Sequence, residues 1–126
     1  MRSDKALKTW YNKINKKFFD NELPRKTCVR WINDKEQEKF EEKYFAWTIN
    51  IEGTNQDDGY HRYVIVISKN KNPGRTAQLA SLAHEMVHVA TGMRDDHGKA
   101  FSEWHEKLTE RGLFRKGAVL RGLTLF

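Results

Sequence analysis

Two histidines stand four residues apart in His84-Glu85-Met86-Val87-His88, with a glutamate directly after the first. On a helix, side chains at i and i+4 project from one face. Imidazoles so placed can bind one zinc ion, and Glu85 can then reach a water beside the metal without ligating it. Zinc in such a site would polarise a scissile carbonyl and acidify that water. Glu85 would take the water's proton and deliver it to the leaving amine. The pattern therefore points to hydrolysis of a peptide bond. Its surroundings sharpen that reading. Leu79, Ala80, Leu82, Ala83, Met86, Val87, Val89 and Ala90 make residues 75–91 a strongly apolar helix. Two histidines and a glutamate embedded there are costly unless they have partners.

A catalytic zinc keeps three protein ligands and one open position. The downstream candidates for the third ligand are His97, Glu103, His105, Glu106 and Glu110. His97 comes nine residues after His88 and beyond a break at Gly92, so the chain can fold back and present it from the start of the next helix. His105 lies two turns further on, on about the same face. Its simpler reading is a helix histidine that caps a neighbour or faces solvent. The three glutamates read as the wet face of that helix, and His61, beside Tyr60, reads as a surface residue. The longer pattern HExxHxxGxxH is not met, because Gly92 and His97 fall at other distances from His88. No residue type in the sequence singles out a donor for the oxyanion that peptide hydrolysis creates.

The elements that must position these residues can be read from periodicity. Residues 4–19 read as an amphipathic helix with Leu7, Trp10, Tyr11, Ile14 and Phe18 on one stripe, Ser3 as its N-cap and Pro24 beyond its end. Residues 26–32 suit a strand and residues 33–39 a polar connection. Phe45, Trp47, Ile49 and Ile51 share one face at the end of residues 40–51. A turn-rich loop over residues 52–59 leads to a strand over residues 60–68, whose Val64-Ile65-Val66-Ile67 run predicts burial on both faces. These two strands are expected to form a hairpin. Asn72-Pro73-Gly74 stops the strand ahead of the apolar helix, which Gly92 should cap. A last helix runs from near His97 to about Arg111, with Phe101, Trp104 and Leu108 inward. Residues 112–126 carry three glycines and stay open between strand and helix; they read as a basic C-terminal tail. The expected fold class is α+β over one domain, residues 1–126. It comprises an N-terminal helix, a three-stranded antiparallel or mixed sheet, the metal-binding helix and a following helix.

Composition bounds the remaining possibilities. A chain of 126 residues with 12% aromatic residues can build one packed core and is too short for two. No apolar run approaches the ~18 residues of a membrane span, and the N-terminal residues have no signal-peptide h-region. A single cysteine, Cys28, excludes a disulfide framework and any multi-cysteine zinc ribbon, and reads as a reduced, buried small hydrophobe. A cytoplasmic or nucleoid-associated monomer with no membrane contact is the expectation. A compact chain of this kind also suits a phage genome, acting in the host cytoplasm.

The net charge of +6 is unevenly spread, with +6 on residues 1–30, −5 on 31–60, +2 on 61–96 and +3 on 97–126. Basic ends around an acidic middle are compatible with attraction to a polyanion such as DNA. Lys5, Lys8, Lys13, Lys16 and Lys17, with Arg111, Arg115, Lys116 and Arg121, are the candidate phosphate contacts, sequence-independent and salt-sensitive. A lysine-rich solvated surface explains the same pattern equally well. Trp10, Trp31 and Trp47 could stack on unpaired bases, but core packing is their simpler reading.

The run His84-Glu85-Met86-Val87-His88, followed by His97-Gly98-Lys99-Ala100-Phe101, resembles the SprT-like (Spartan-type) zinc metalloproteases. In that family HExxH pairs with a downstream His-Gly-x-x-Phe that supplies the third ligand. Phe18-Phe19-Asp20-Asn21-Glu22-Leu23-Pro24 is similar to the family's passage from first helix to first strand, so the likeness spans roughly residues 4–111. The resemblance implies a zincin-like fold, one Zn²⁺ on His84, His88 and His97, Glu85 as catalytic base, and substrates that are proteins bound or crosslinked to DNA. The chain departs from the family in a short loop between His88 and His97 and in lacking a zinc ribbon. Two other expectations stand beside this one. One is a nucleic-acid-binding or adaptor module with an inactive or structural zinc site; the other is a regulatory zincin peptidase indifferent to DNA.

Overall fold

The structure, a computed structural model, describes residues 1–93 and 97–113. Within them the chain runs α1 (Lys5–Phe18), β1 (Thr27–Trp31), α2 (Asp34–Phe40), β2 (Ala46–Asn50), β3 (Tyr63–Ile67), α3 (Gly74–Ala90) and α4 (Lys99–Glu110). The fold is α+β around a mixed three-stranded sheet of order β1-β3-β2. β1 pairs parallel to β3, from Thr27 opposite Tyr63 to Trp31 opposite Ile67. β2 pairs antiparallel to β3, from Ala46 opposite Ile67 to Asn50 opposite Tyr63, which is the expected hairpin. Among the described residues no helix is long and apolar enough to cross a membrane.

Alternation along β3 builds the core on two faces. Tyr63, Ile65 and Ile67 join Leu7, Tyr11, Ile14, Leu82 and Met86 in the larger cluster under the helices, while Val64 and Val66 join Cys28 and Ile51 on the other face. All five β3 residues are buried, as the run of β-branched side chains predicts. Trp10 and Trp31 pack against the larger cluster and Trp47 against the smaller, which is the packing role expected of them.

Helix α1 starts one residue later than expected. Asp4, not Ser3, is the N-cap, its Oδ2 accepting the Leu7 N–H at 3.0 Å. Ser3 Oγ instead accepts the Val29 N–H at 3.0 Å and ties the terminus to β1. The C-terminal end turns through Asp20 and Asn21, with φ of 54° and 61°. Side chains that hydrogen-bond locally tolerate this left-handed region best. A buried asparagine within α1 fixes the passage toward β1: Asn15 donates to the Leu23 carbonyl and accepts the Leu23 N–H, both at 3.1 Å. The Tyr11 hydroxyl donates to the Pro24 carbonyl at 2.8 Å, and burial pushes that phenol up to about 12. From the far end of the chain, Arg111 donates to the Phe18 carbonyl at 2.7 Å, so α4 closes onto the end of α1.

Residues 34–40 are a helix where the sequence suggested a polar connection. α2 has no apolar stripe and buries nothing, so the hydrophobic signal is missing. Its N-terminal end holds it instead. Asn33 and Glu36 form a reciprocal capping box, and Arg30 grips the Glu36 carboxylate with two bonds of 2.7 and 2.8 Å. That guanidinium holds the Glu36 carboxyl below its ordinary value.

Helix α3 begins at Gly74, directly after Asn72-Pro73, with Gly74 at φ +84°. Asn72, only 3% exposed, does more than stop the strand. Its amide donates to the Phe45 and Ser68 carbonyls at 2.9 and 2.8 Å, and its Oδ1 accepts from Ser81 on α3. One side chain thus locks the start of β2, the end of β3 and the second turn of α3. At the other end Thr91 is the C-cap, one residue before the expected Gly92, which follows at φ 65°. Gly112 and Leu113 close α4, the Leu113 N–H donating to the Leu108 carbonyl at 2.9 Å. The remainder of the expected basic tail, with Arg115, Lys116 and Arg121, lies outside the described residues.

Candidate metal centre

Residues 84 and 88 fall one turn apart near the C-terminal end of α3, and His97 precedes α4 by two residues. α3 and α4 pack together, so the turn that includes Gly92 brings His97 back over α3. Each of the three histidines offers a ring nitrogen, and these atoms all lie within 4.8 Å of one another. Nε2 of His84 and Nε2 of His97 face each other at 3.2 Å. A tetrahedral ion about 2.0–2.1 Å from each nitrogen sets its ligand nitrogens about 3.4 Å apart. The three nitrogens are thus close enough together to hold one metal ion. Neither Glu103, Glu106 nor Glu110 joins it; all three are exposed, as a wet helix face requires.

Phe101 is the hub of the cluster. Its ring centroid lies 5.0 Å from that of His84, 4.7 Å from His88 and 4.8 Å from His97. It is 6% exposed and belongs to the main core. The three imidazoles therefore rest on a single aromatic wedge anchored below them.

Glu85 points into the space between α3 and β2, 6% exposed, and Thr48 Oγ1 donates to its Oε1 at 2.8 Å. A carboxylate this buried needs a donor, and the sheet supplies one. Thr48 is the residue of the candidate site that the sequence did not reveal. A threonine in a strand carries no sign that its partner lies 37 residues away on a helix.

Two adjoining clefts open onto the cluster. One, of about 220 Å³, is lined by all three histidines with Glu85, Thr48 and Tyr44. The other, of about 500 Å³, shares Tyr44, His84 and Glu85 and ends at His105. His105 is thus part of the cleft wall, its ring stacked 6.2 Å from Phe101 at 25°. Tyr44, 48% exposed at the rim of both, had no sequence signal because it lies outside any periodic element. His61 pairs instead with Asp58 at 2.6 Å in a different cleft beside Arg25 and Lys26. That hydrogen bond holds the Asp58 carboxyl well below the usual carboxylate range.

Of the candidate phosphate contacts, Lys5, Lys16 and Lys17 are exposed on α1. Lys13 lies over the Trp10 ring at 4.9 Å. Lys8 is committed to the carbonyls of Arg25 and Thr27, both at 2.6 Å, and burial lowers its ammonium to about 8. Lys8, Lys16 and Arg25 nonetheless border one cleft of about 520 Å³ with Asn12, Asn15 and Asn21. Arg111 bonds to Phe18 and Asp20.

Set against protein-family models, curated proteins and solved structures, the chain matches none, so the functional reading rests on the three-histidine geometry and its motifs.

Proposed function

We propose that the chain is a zinc-dependent endopeptidase, zincin-like in fold and SprT-like in its motifs, that acts inside the cell on proteins bound or crosslinked to DNA. The observation that carries this reading is the convergence of three imidazole nitrogens beside a carboxylate that a hydroxyl holds in place. Three histidines form a donor set that suits zinc and leaves a fourth position open. A zinc ion bound there supplies Lewis acidity to the scissile carbonyl and to water. Glu85 takes the proton of the attacking water and passes it to the leaving nitrogen. Thr48 fixes the carboxylate for that transfer, and Phe101 keeps the imidazoles turned toward one point. The outer edge of β2, next to Tyr44 and the cleft, offers backbone groups for an extended substrate.

Thr48 acts through Glu85, so its removal separates positioning from metal binding. Thr48→Val keeps the shape and deletes the donor. Cleavage is expected to fall about tenfold, the scale of one hydrogen bond to a charged group, with zinc content unchanged. Thr48→Ser should recover most of the rate. Steady-state cleavage measured beside zinc content checks this, and equal rates for the valine variant and the unaltered protein would remove Thr48 from the mechanism.

The DNA part of the reading is supported by the exposed lysines of α1 and by the basic cleft at Lys8, Lys16 and Arg25. The test is digestion of a histone by the zinc-loaded protein, with and without single-stranded DNA, at low and moderate salt. DNA is expected to accelerate cleavage, and rising salt to erase the acceleration. Equal cleavage with and without DNA would instead indicate a peptidase independent of DNA. Bound zinc with no cleavage that depends on Glu85 would indicate a binding module.

A further inference from the structure

The outer face of β2 carries an apolar groove that the proposed mechanism does not use. It has a volume of about 330 Å³ and is lined by Glu36, Phe40, Tyr44, Trp47, Ile49 and Gln56. Phe40 and Tyr44 meet Trp47 edge-on, with centroids 5.6 and 6.2 Å apart. Phe40 is 40% and Tyr44 48% exposed. α2 borders the groove without filling it, since none of its residues is buried. Tyr44 and Trp47 also line the cleft over the three histidines, so groove and cleft are continuous around the edge of the sheet.

The register of β2 says what kind of ligand can use both. The Ile51 N–H donates to the Arg62 carbonyl and the Ser68 N–H to the Phe45 carbonyl. Odd-numbered residues of β2 therefore bond to β3, and Ala46, Thr48 and Asn50 turn their N–H and C=O groups to the open edge. Side chains alternate in the same way. Thr48 faces α3, where it meets Glu85, while Trp47 and Ile49 face the groove. A peptide strand added to this edge has one set of alternate side chains on the α3 side, against the metal cleft. The other set lies on the groove side, against Phe40, Trp47 and Ile49.

We propose that this groove is a side-chain subsite that selects extended peptides with large apolar residues at alternate positions. The inference rests on the peptidase reading for treating the bound peptide as a substrate; the binding preference itself stands on the strand edge and the groove. The edge-on aromatic rings favour Phe, Tyr or Leu over polar side chains.

The probes are three blocked hexapeptides: Lys-Phe-Ser-Phe-Ser-Lys, its isomer Lys-Phe-Phe-Ser-Ser-Lys, and Lys-Ser-Ser-Ser-Ser-Lys. Their affinities for zinc-loaded Glu85→Gln protein are measured by titration calorimetry. The alternating peptide is expected to bind at least about tenfold tighter than the serine peptide, the yield of burying roughly one aromatic side chain, and tighter than its isomer. Phe40→Ala, at a position exposed enough to leave the fold intact, should bring the alternating and serine peptides within about threefold of each other. Equal affinities for all three peptides in the protein with Phe40 present would overturn the subsite. Failure of the peptidase reading looks different: the alternating peptide binds tightly, yet zinc-loaded protein with Glu85 intact leaves it uncut. Cleavage that ignores the spacing would sink the subsite and leave the peptidase.

Discussion

Glu85→Gln is expected to slow peptide-bond cleavage by about 10²–10⁴-fold, the usual contribution of a positioned general base, while zinc stays bound. Glutamine has the same shape and its carbonyl can still accept the Thr48 hydroxyl, which now reaches Oε1 at 2.8 Å. The imidazoles of His84, His88 and His97 are untouched, so the donor set is preserved. What is lost is the basic oxygen that takes the proton. Cleavage of a protein substrate, measured beside zinc content, reads the two effects separately. Loss of zinc together with activity would make Glu85 part of the metal site rather than its base. Cleavage at the unaltered rate would remove it from the reaction.

Phe101→Ala should have the largest effect on stability and a second effect on metal affinity. The ring is 6% exposed and lies within 5.0 Å, centroid to centroid, of all three histidine rings. Truncating a buried phenylalanine costs about 3–5 kcal/mol, a melting temperature lowered on the order of 10 °C or more. The three imidazoles also lose the surface that sets their orientation, so zinc should bind roughly 10–100-fold more weakly, as when the support of a metal ligand is removed. Thermal melts with and without added zinc distinguish the two roles, because the shift produced by zinc measures binding to the folded state. A lower melting point with an unchanged zinc shift would confine Phe101 to the core.

These two residues also show what could be read from the chain. Glu85 and its flanking histidines were legible because helical geometry alone brings residues 84 and 88 to one face. The apolar residues around them implied a helix that would bury them. His97 was legible through the glycine break that lets the chain double back, and the wet reading of Glu103, Glu106 and Glu110 came from the stripe of Phe101 and Leu108. Thr48 was not legible, since its contact with Glu85 depends on how β2 is laid against α3. The same holds for Asn15 and Asn72, buried asparagines whose partners are backbone groups of distant turns. α2 escaped notice because capping and one ion pair, rather than an apolar face, hold it. The sheet was expected to be antiparallel or mixed. Only the parallel pairing of β1 with β3 decides this, and nothing in local periodicity encodes strand direction. His105, read as a plain helix histidine, stays outside the three-histidine cluster; that it also lines the cleft, its ring stacked on Phe101, carried no signal in the sequence.

The aromatic residues outside the core make a related point about function. Phe40, Tyr44 and Phe45 are all well exposed and flank β2, the strand that borders the metal cleft. Exposed aromatic rings gathered beside a cleft mark a surface that contacts a ligand more often than scattered ones do. Their placement connects the three-histidine site to an extended groove rather than to a closed pocket, a shape that suits the proposed polypeptide substrate.

The most direct test of the account is the zinc content of the purified protein by elemental analysis, run beside His97→Ala. The three-histidine site predicts about one zinc per chain, lost or sharply reduced in the variant. A protein that takes up no zinc even after refolding in its presence would contradict the account, as would a variant that holds zinc as well as the unaltered chain.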